Sequence, residues 1–349
     1  MARKVIKILD EGQGELIGWH DPDEQRQWIF ENKTRALIDK RMTVKEAITK
    51  FVRNGNYLVF GGFGHVRVSM AAIYEIIRQG RGNLIIGGKT AVHDSDILIA
   101  AGCVEKIEVA YSFGHELRGL SPASRRAVET GKVQVIAENS NAGLQWRWLA
   151  GMMGIPFVPA RILLGTDTFK NSPCKIIEDP WSKKPICLIP AGNPDVALIH
   201  VHCCDKYGNA RIEGTAIEDF ELARAARRLI LTTEKIIDEE EIRIKPWQTI
   251  IPYFLVDGVV EIPYGSHPCQ MPGLYYFDEE HIAEWLEISK TEEGTKHYFE
   301  KYVFGTKDFS EYLKLIGGAK KLKKLRRIEL LKESADYPWR KKKDAKEKN

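Results

Sequence analysis

Four short stretches of this chain carry residue types suited to gripping a small carbonyl-bearing or charged ligand. Gly61-Gly62-Phe63-Gly64 closes one apolar run, and Gly87-Gly88-Lys89-Thr90 closes another. Ser112-Phe113-Gly114-His115-Glu116 follows a third run, and Glu138-Asn139-Ser140-Asn141 a fourth. Glycine lets backbone approach a ligand, and unpaired N–H groups in such a turn can hold a developing negative charge. The first stretch is not a dinucleotide fingerprint. G-x-G-x-x-G needs a third glycine for close helix–strand packing, and Arg67 stands in its place. A phosphate P-loop is excluded too, because no Gly-Lys-Ser/Thr follows.

Other chemistry-bearing residues read as structural. His200-Val201-His202-Cys203-Cys204 offers metal-ligand types. On a strand, however, the two imidazoles share a face, Cys203 points away, and no second cluster completes four ligands, so no metal is expected. Asp94 reads as a helix cap and Glu239-Glu240-Glu241 as a solvated first turn, rather than as catalytic carboxylate pairs. Trp146 and Trp148 lie two apart on a helical stretch and cannot both line one face.

The elements that must position the four stretches alternate between strand and helix. Thr43 and Glu46 form a capping box, and Val44, Ala47, Ile48 and Phe51 make the apolar face of the helix they open. Tyr57–Phe60 is a strand, and a helix capped at Ser69 runs to Gln79 and is closed by Gly80. Strand 83–86, a helix from Asp94 to Gly102, strand Ile107–Tyr111, a helix near Ala123 and strand Gln134–Ala137 follow. Pro185–Pro190, Val196–Val201, Leu229–Thr233 and Phe254–Ile262 extend the strand series, and 279–316 reads as helices only. The fold class is therefore α/β: an open, mostly parallel sheet covered by helices on both faces, with a helical C-terminal part. In such a sheet ligands sit beyond the carboxyl ends of the strands, where the four stretches fall.

Six segments, in order, resemble the A (alpha) subunits of the family I CoA-transferases. The glycine turn after Tyr57–Phe60 looks like their first signature, and Ala150-Gly151-Met152-Met153-Gly154-Ile155-Pro156-Phe157 like their A-G-x-x-G-I-P-F stretch. Pro194–His200 with Asp205–Ala210 resembles their strand–turn pair. Thr232–Ile237, Val256–Val260 and Tyr264–Pro268 are most similar to the glutaconate CoA-transferase type. The resemblance spans about residues 43–317, with 1–42 as an N-terminal extension (a polar arm or added helix) and 318–349 as a basic tail. It implies ping-pong chemistry on a partner B-type subunit, whose glutamate attacks an acyl-CoA thioester and then carries CoA as a glutamyl thioester. This chain lacks the Glu-Asn-Gly motif of that nucleophile and is expected to act in a heteromer such as A2B2 or A4B4. Acyl-CoA and a small (di)carboxylic acid are its implied substrates, with no permanently bound cofactor.

The resemblance also implies roles for single residues. Asn141 falls where transferases of this type carry a glutamine and ring-opening hydrolases a glutamate, so its amide is an oxyanion donor candidate as well as a helix cap. Glu138 is the chain's own candidate base. Arg67 is a candidate clamp for the acceptor carboxylate, and Gly61, Gly62, Phe63, Gly64, Gly88, Lys89, Ser112, Phe113 and Gly114 line the substrate site. Relatives that act as ring-opening hydrolases or decarboxylases, and a non-catalytic binding protein of the same fold, are the alternatives.

Bulk properties agree with one component of an enzyme. The chain has 349 residues, 44% apolar, and no run of 18 apolar residues or apolar leader is present. Six cysteines fit no metal or disulfide framework, and a cytoplasmic location is expected. From residue 319 onward stand 13 Lys/Arg against 5 Asp/Glu, so the rest of the chain is mildly acidic. Leu322, Leu325, Ile328 and Leu331 give that stretch a docking face, and aromatics interleaved for base stacking are few, so neither nucleic acid nor membrane is an expected partner.

Overall fold

A computed structural model describes residues 6–338. Its twelve strands, numbered along the chain, form two sheets. The larger has the spatial order β12 (Gly258–Glu261), β11 (Arg228–Ile236), β9 (Val196–Cys204), β2 (Tyr57–Phe60), β3 (Leu84–Lys89), β4 (Val104–Ala110) and β5 (Gln134–Glu138). All neighbours on that path pair in parallel, and β10 (Ala210–Arg211) folds back antiparallel on β9.

The near-continuous apolar strands are the consequence of burial on both faces. Strand periodicity splits β2 so that Leu58 and Phe60 join one core and Tyr57 and Val59 the other. The first core takes helices Val44–Phe51, Met70–Arg78 and His93–Ala100 together with the C-terminal helices through Trp285, Tyr298 and Tyr312. The second takes helices Asn141–Met153 and Asp219–Ala225, with Trp148 fully buried and Trp146 packing elsewhere. The capping box of Thr43 and Glu46 is present.

Three local expectations are corrected. Pro185–Pro190 does not join the parallel series. As β8 it pairs antiparallel with β7 (Lys175–Glu178) and β6 (Phe157–Ala160), and β1 (Ile8–Glu11) completes this second sheet on β7. The connection from β7 to β8 is a short turn, and a parallel pair would need a crossover of about a dozen residues. Asp94 is not a cap, because the N-cap position is Val92 and Asp94 lies buried in the first turn. Ser69 holds the N-cap position but makes no capping bond, since its hydroxyl pairs with Thr232 Oγ1 at 3.1 Å.

The described parts of the two terminal stretches pack on the chain itself. Within 1–42, Gly12 N donates to Cys174 O, Glu15 N to Ile136 O, and Lys33 Nζ reaches Asp257 at 3.0 Å. Helix Gly318–Glu329 buries Leu322, Leu325 and Ile328, while Leu331 stays exposed. No helix of the described residues is long and apolar enough to cross a membrane, and the six cysteines are free thiols.

Candidate functional site

Crossovers leave β2 toward β3 and leave β9 toward β11, so the strand order reverses between β2 and β9. That reversal opens a crevice at the carboxyl edge, and the Gly61–Arg67 turn lies at its mouth. Gly61 has no room for a side chain, because a Cβ would stand 2.6 Å from Asp219 Oδ1. Gly62 adopts φ +78° and a Cβ there would meet Val66 O at 2.2 Å. The amides expected to face a ligand are engaged inside the protein. Gly61 N donates to Leu198 O, Phe63 N to Val66 O and Gly64 N to Thr90 O, at 2.9, 3.1 and 2.8 Å. Gly62 N donates to Asp219 Oδ1 at 3.0 Å. The turn does bind an anion, but the anion is the chain's own carboxylate.

The same carboxylate explains Arg67. Its guanidinium is fully buried, grips Asp219 with two bonds of 3.0 and 2.6 Å, and donates a third to Thr215 O at 2.9 Å. It therefore positions the turn against helix Asp219–Ala225 and does not face an acceptor acid. Lys89, read from sequence as a loop residue, is the last residue of β3 and pairs with Glu218 at 2.8 Å out of solvent. Burial pushes Glu218 up to about 7 despite Lys89, and Asp219 next to it adds to the rise. The Glu218-Asp219 pair carried no sequence signal, because its cationic partners lie far back in the chain.

The outer layer of the edge is more open. Ser140, not Asn141, caps helix Asn141–Met153, its Oγ accepting from Gly143 N at 3.0 Å. Asn141 is the first helical residue and exposed, and its Oδ1 accepts from Thr90 Oγ1 at 3.3 Å. The amide nitrogen has no partner among the described residues and is available as a donor. Glu138, at the end of β5, is half-buried, and its backbone N donates to Asn171 O at 2.9 Å. Ser112 Oγ donates to Gly88 O at 3.0 Å, which closes the space above Gly88. Arg67, Thr90, Tyr111, Phe113 and Glu116 all have positive φ without being glycine, and all five lie in three adjacent loops of this edge. Such strain persists where the surroundings over-determine it, and it clusters at functional sites. Tyr111, Leu117 and Leu120 stand exposed on the rim, an apolar border left open to water.

Polar residues on the β9–β12 half of this edge, and those away from it, are accounted for by structure. His200 binds Thr232 Oγ1 and Glu234 Oε1, each at 2.8 Å, and His202 binds Pro272 O and Glu213 N at 2.9 and 3.0 Å. A cavity of about 570 Å³ lies at the opposite, amino end of the sheet among Lys33, Lys40, Arg227 and Arg228. The four cations have partners within the chain, Lys40 donating to Tyr253 O at 2.6 Å. Lys33 and Arg228 share Asp257, and Arg227 binds Gln25. Deeper in the core, Arg147 and Glu108 form a fully buried ion pair that Tyr57 and Asn139 support at 3.1 and 2.8 Å. Arg147 also donates to the carbonyls of Ile17 and Ala191, tying the N-terminal arm and second sheet to the main one.

The arrangement offers an outward amide donor, a half-buried carboxylate and an apolar rim, over a rigid ionic layer. Comparison with known proteins sets this in context. The family profile described as Coenzyme A transferase matches residues 41–262. An uncharacterized protein of Archaeoglobus fulgidus is 65% identical over 335 residues, 96% of this chain and 75% of that one. The A chain of glutaconate CoA-transferase from Acidaminococcus fermentans is 33% identical over 300 residues, 81% of this chain and 93% of its own. The crystal structure of that transferase superposes with a TM-score of 0.77, covering 82% of this chain and 95% of that one. The A chain of 3-oxoadipate CoA-transferase from Pseudomonas knackmussii is 34% identical over 274 residues, 78% of this chain and 96% of its own.

Proposed function

The chain belongs to the coenzyme A transferase family, and on that premise we propose that it is the A-type subunit of a heteromeric enzyme moving CoA from an acyl-CoA to a small (di)carboxylic acid. The observation that carries this reading is the division of labour at the carboxyl edge. Asp219 and Glu218 are buried and paired with Arg67 and Lys89, so neither can reach a thioester. What faces outward is the Asn141 amide, with an exposed apolar rim at Tyr111, Leu117 and Leu120 for a second chain to cover.

On this reading the attacking glutamate comes from the B-type partner. Its carboxylate adds to the thioester carbonyl, CoA thiolate leaves, and the thiolate then attacks the glutamyl carbonyl of the mixed anhydride and expels the carboxylic acid. The acceptor acid reverses these steps. Asn141 donates to the oxyanion that forms at each addition, a task its amide can perform and a carboxylate cannot. Hydrolysis of the thioester instead would call on Glu138 as base. Arg67 and the glycine amides hold the loop in place rather than touching substrate.

The experiment is reconstitution with a B-type chain. The complex is expected to exchange CoA between acyl-CoA and dicarboxylate acceptors, while borohydride treatment after acyl-CoA addition labels a glutamate on the partner. Turnover by this chain alone, or a label on its own residues, would overturn the shared site. Thioester loss without acceptor-dependent product would favour hydrolysis.

A further inference from the structure

Each of the three adjacent loops of the candidate edge contributes one buried histidine. His65 follows the glycine turn after β2, His93 opens the helix after β3, and His115 lies in the loop after β4. One ring nitrogen from each falls within 4.8 Å of the others. His65 Nε2 and His115 Nδ1 are 3.0 Å apart. Neither nitrogen of His93 has a protein partner, although the residue is fully buried. An orphaned buried imidazole is costly unless something completes it.

The outer nitrogens sharpen the point. His115 Nε2 lies 3.1 Å from Asp96 Oδ2, and Asp96 also accepts from Ser121, Ser124 and Trp285. That places the His115 proton on Nε2 and leaves Nδ1 a lone pair. The outer nitrogen of His65, Nδ1, has no hydrogen-bond partner, and the Glu116 carboxylate lies 3.5 Å from it. One proton on His65 Nε2 can hold that 3.0 Å contact as a hydrogen bond; a metal ion in its place would take both nitrogens and one of His93, with the His65 proton moved to Nδ1 toward Glu116.

We propose that His65, His93 and His115 form a divalent transition-metal site, zinc in the first instance, which clamps the three loops of the candidate edge together. Neutral imidazoles backed by carboxylates are the ligand chemistry zinc prefers. Tetrahedral zinc needs ligand nitrogens about 3.4 Å apart, so small ring rotations from the observed spread suffice. Three protein ligands leave a fourth position open. The spacing argument that excludes a metal from sequence applies to neighbours along the chain, and these residues meet only across loops.

The test uses the full chain purified without a polyhistidine tag, stripped with chelator, and titrated with Zn2+ and Co2+. About one equivalent is expected to remain after desalting, with visible d–d bands of tetrahedral cobalt and, in X-ray absorption of the zinc form, imidazole scattering plus one further oxygen or nitrogen ligand and no sulfur. His93→Gln is expected to weaken binding at least tenfold, and Asp96→Asn by about 10- to 100-fold through His115. Should these variants fail to fold, the absorption spectra of the unaltered protein decide. No retained metal, an octahedral cobalt spectrum, or sulfur scattering from a cysteine site would each overturn the proposal.

Discussion

The carboxyl edge of the main sheet has two halves, and they treat the same residue type in opposite ways. On the β9–β12 half, His200 and His202 have both ring nitrogens bonded, and Glu234 is gripped by His200, Tyr264 N and Tyr275. On the β2–β4 half, His93 has no partner, and the loops hold five strained residues and an exposed apolar rim. Both halves are buried and polar. What separates them is satisfaction: a histidine with two matched nitrogens stabilises a fold, and one left unmatched is held for something else. Pro272 and Tyr275 of the C-terminal stretch supply the partners of His202 and Glu234 on the first half.

The comparison can be broken most severely at Arg67. Arg67→Leu leaves Asp219 charged and buried without its partner, and a loss of about 3–5 kcal/mol is expected in urea unfolding. Stability within about 1 kcal/mol of the parent would mean that Asp219 is not held as an ion. Next comes Asn141→Ala in the assembled enzyme, expected to lower kcat about 10²-fold, or ~2.7 kcal/mol, with assembly intact. Because Ser140 supplies the cap, a fall in stability instead of rate would return Asn141 to a structural role. On the satisfied half, His200→Leu is expected to cost about 1–3 kcal/mol of stability, by stranding Glu234 and Thr232, with no change in acyl-CoA turnover rate.

A smaller effect concerns pH. Glu218 is raised to about 7, chiefly by burial, so the folded state holds its proton more tightly than the unfolded chain between pH 4.5 and 7. Stability from this group is full below pH 4.5 and falls as pH rises, by up to about 1.4 kcal/mol per unit. The difference in unfolding free energy between E218Q and the parent should therefore grow in favour of the variant across that window. His281 acts with the opposite sign. Burial and then His267 lower it to about 3, so its contribution is full above pH 6.5 and fades as pH falls toward 3. A flat difference profile would show that Glu218 keeps its charge beside Lys89. Leu117→Ser should change the stability of the isolated chain by less than about 0.5 kcal/mol, yet weaken co-purification with a B-type partner. Unchanged assembly would remove the rim from the interface.

Much of the architecture was legible along the chain, because its causes are local. Apolar runs such as Tyr57–Phe60, helical faces such as Val44 to Phe51, and stops at Gly80 and Gly102 are set by periodicity and backbone freedom within a few residues. The ends of four strands could be placed on one edge for the same reason, and Trp148, but not Trp146, went to the second core as their spacing required. Partnership was a different matter. That β1 completes a second sheet on β7 and that Asp219 takes both Arg67 and the Gly62 amide are decided by contacts between residues far apart in sequence. So is the meeting of His65, His93 and His115. Pattern fixes which elements form. Only the packed sheet, by setting which loop ends become neighbours and which charges leave water together, decided whether a polar residue faces a ligand, another chain or its own backbone.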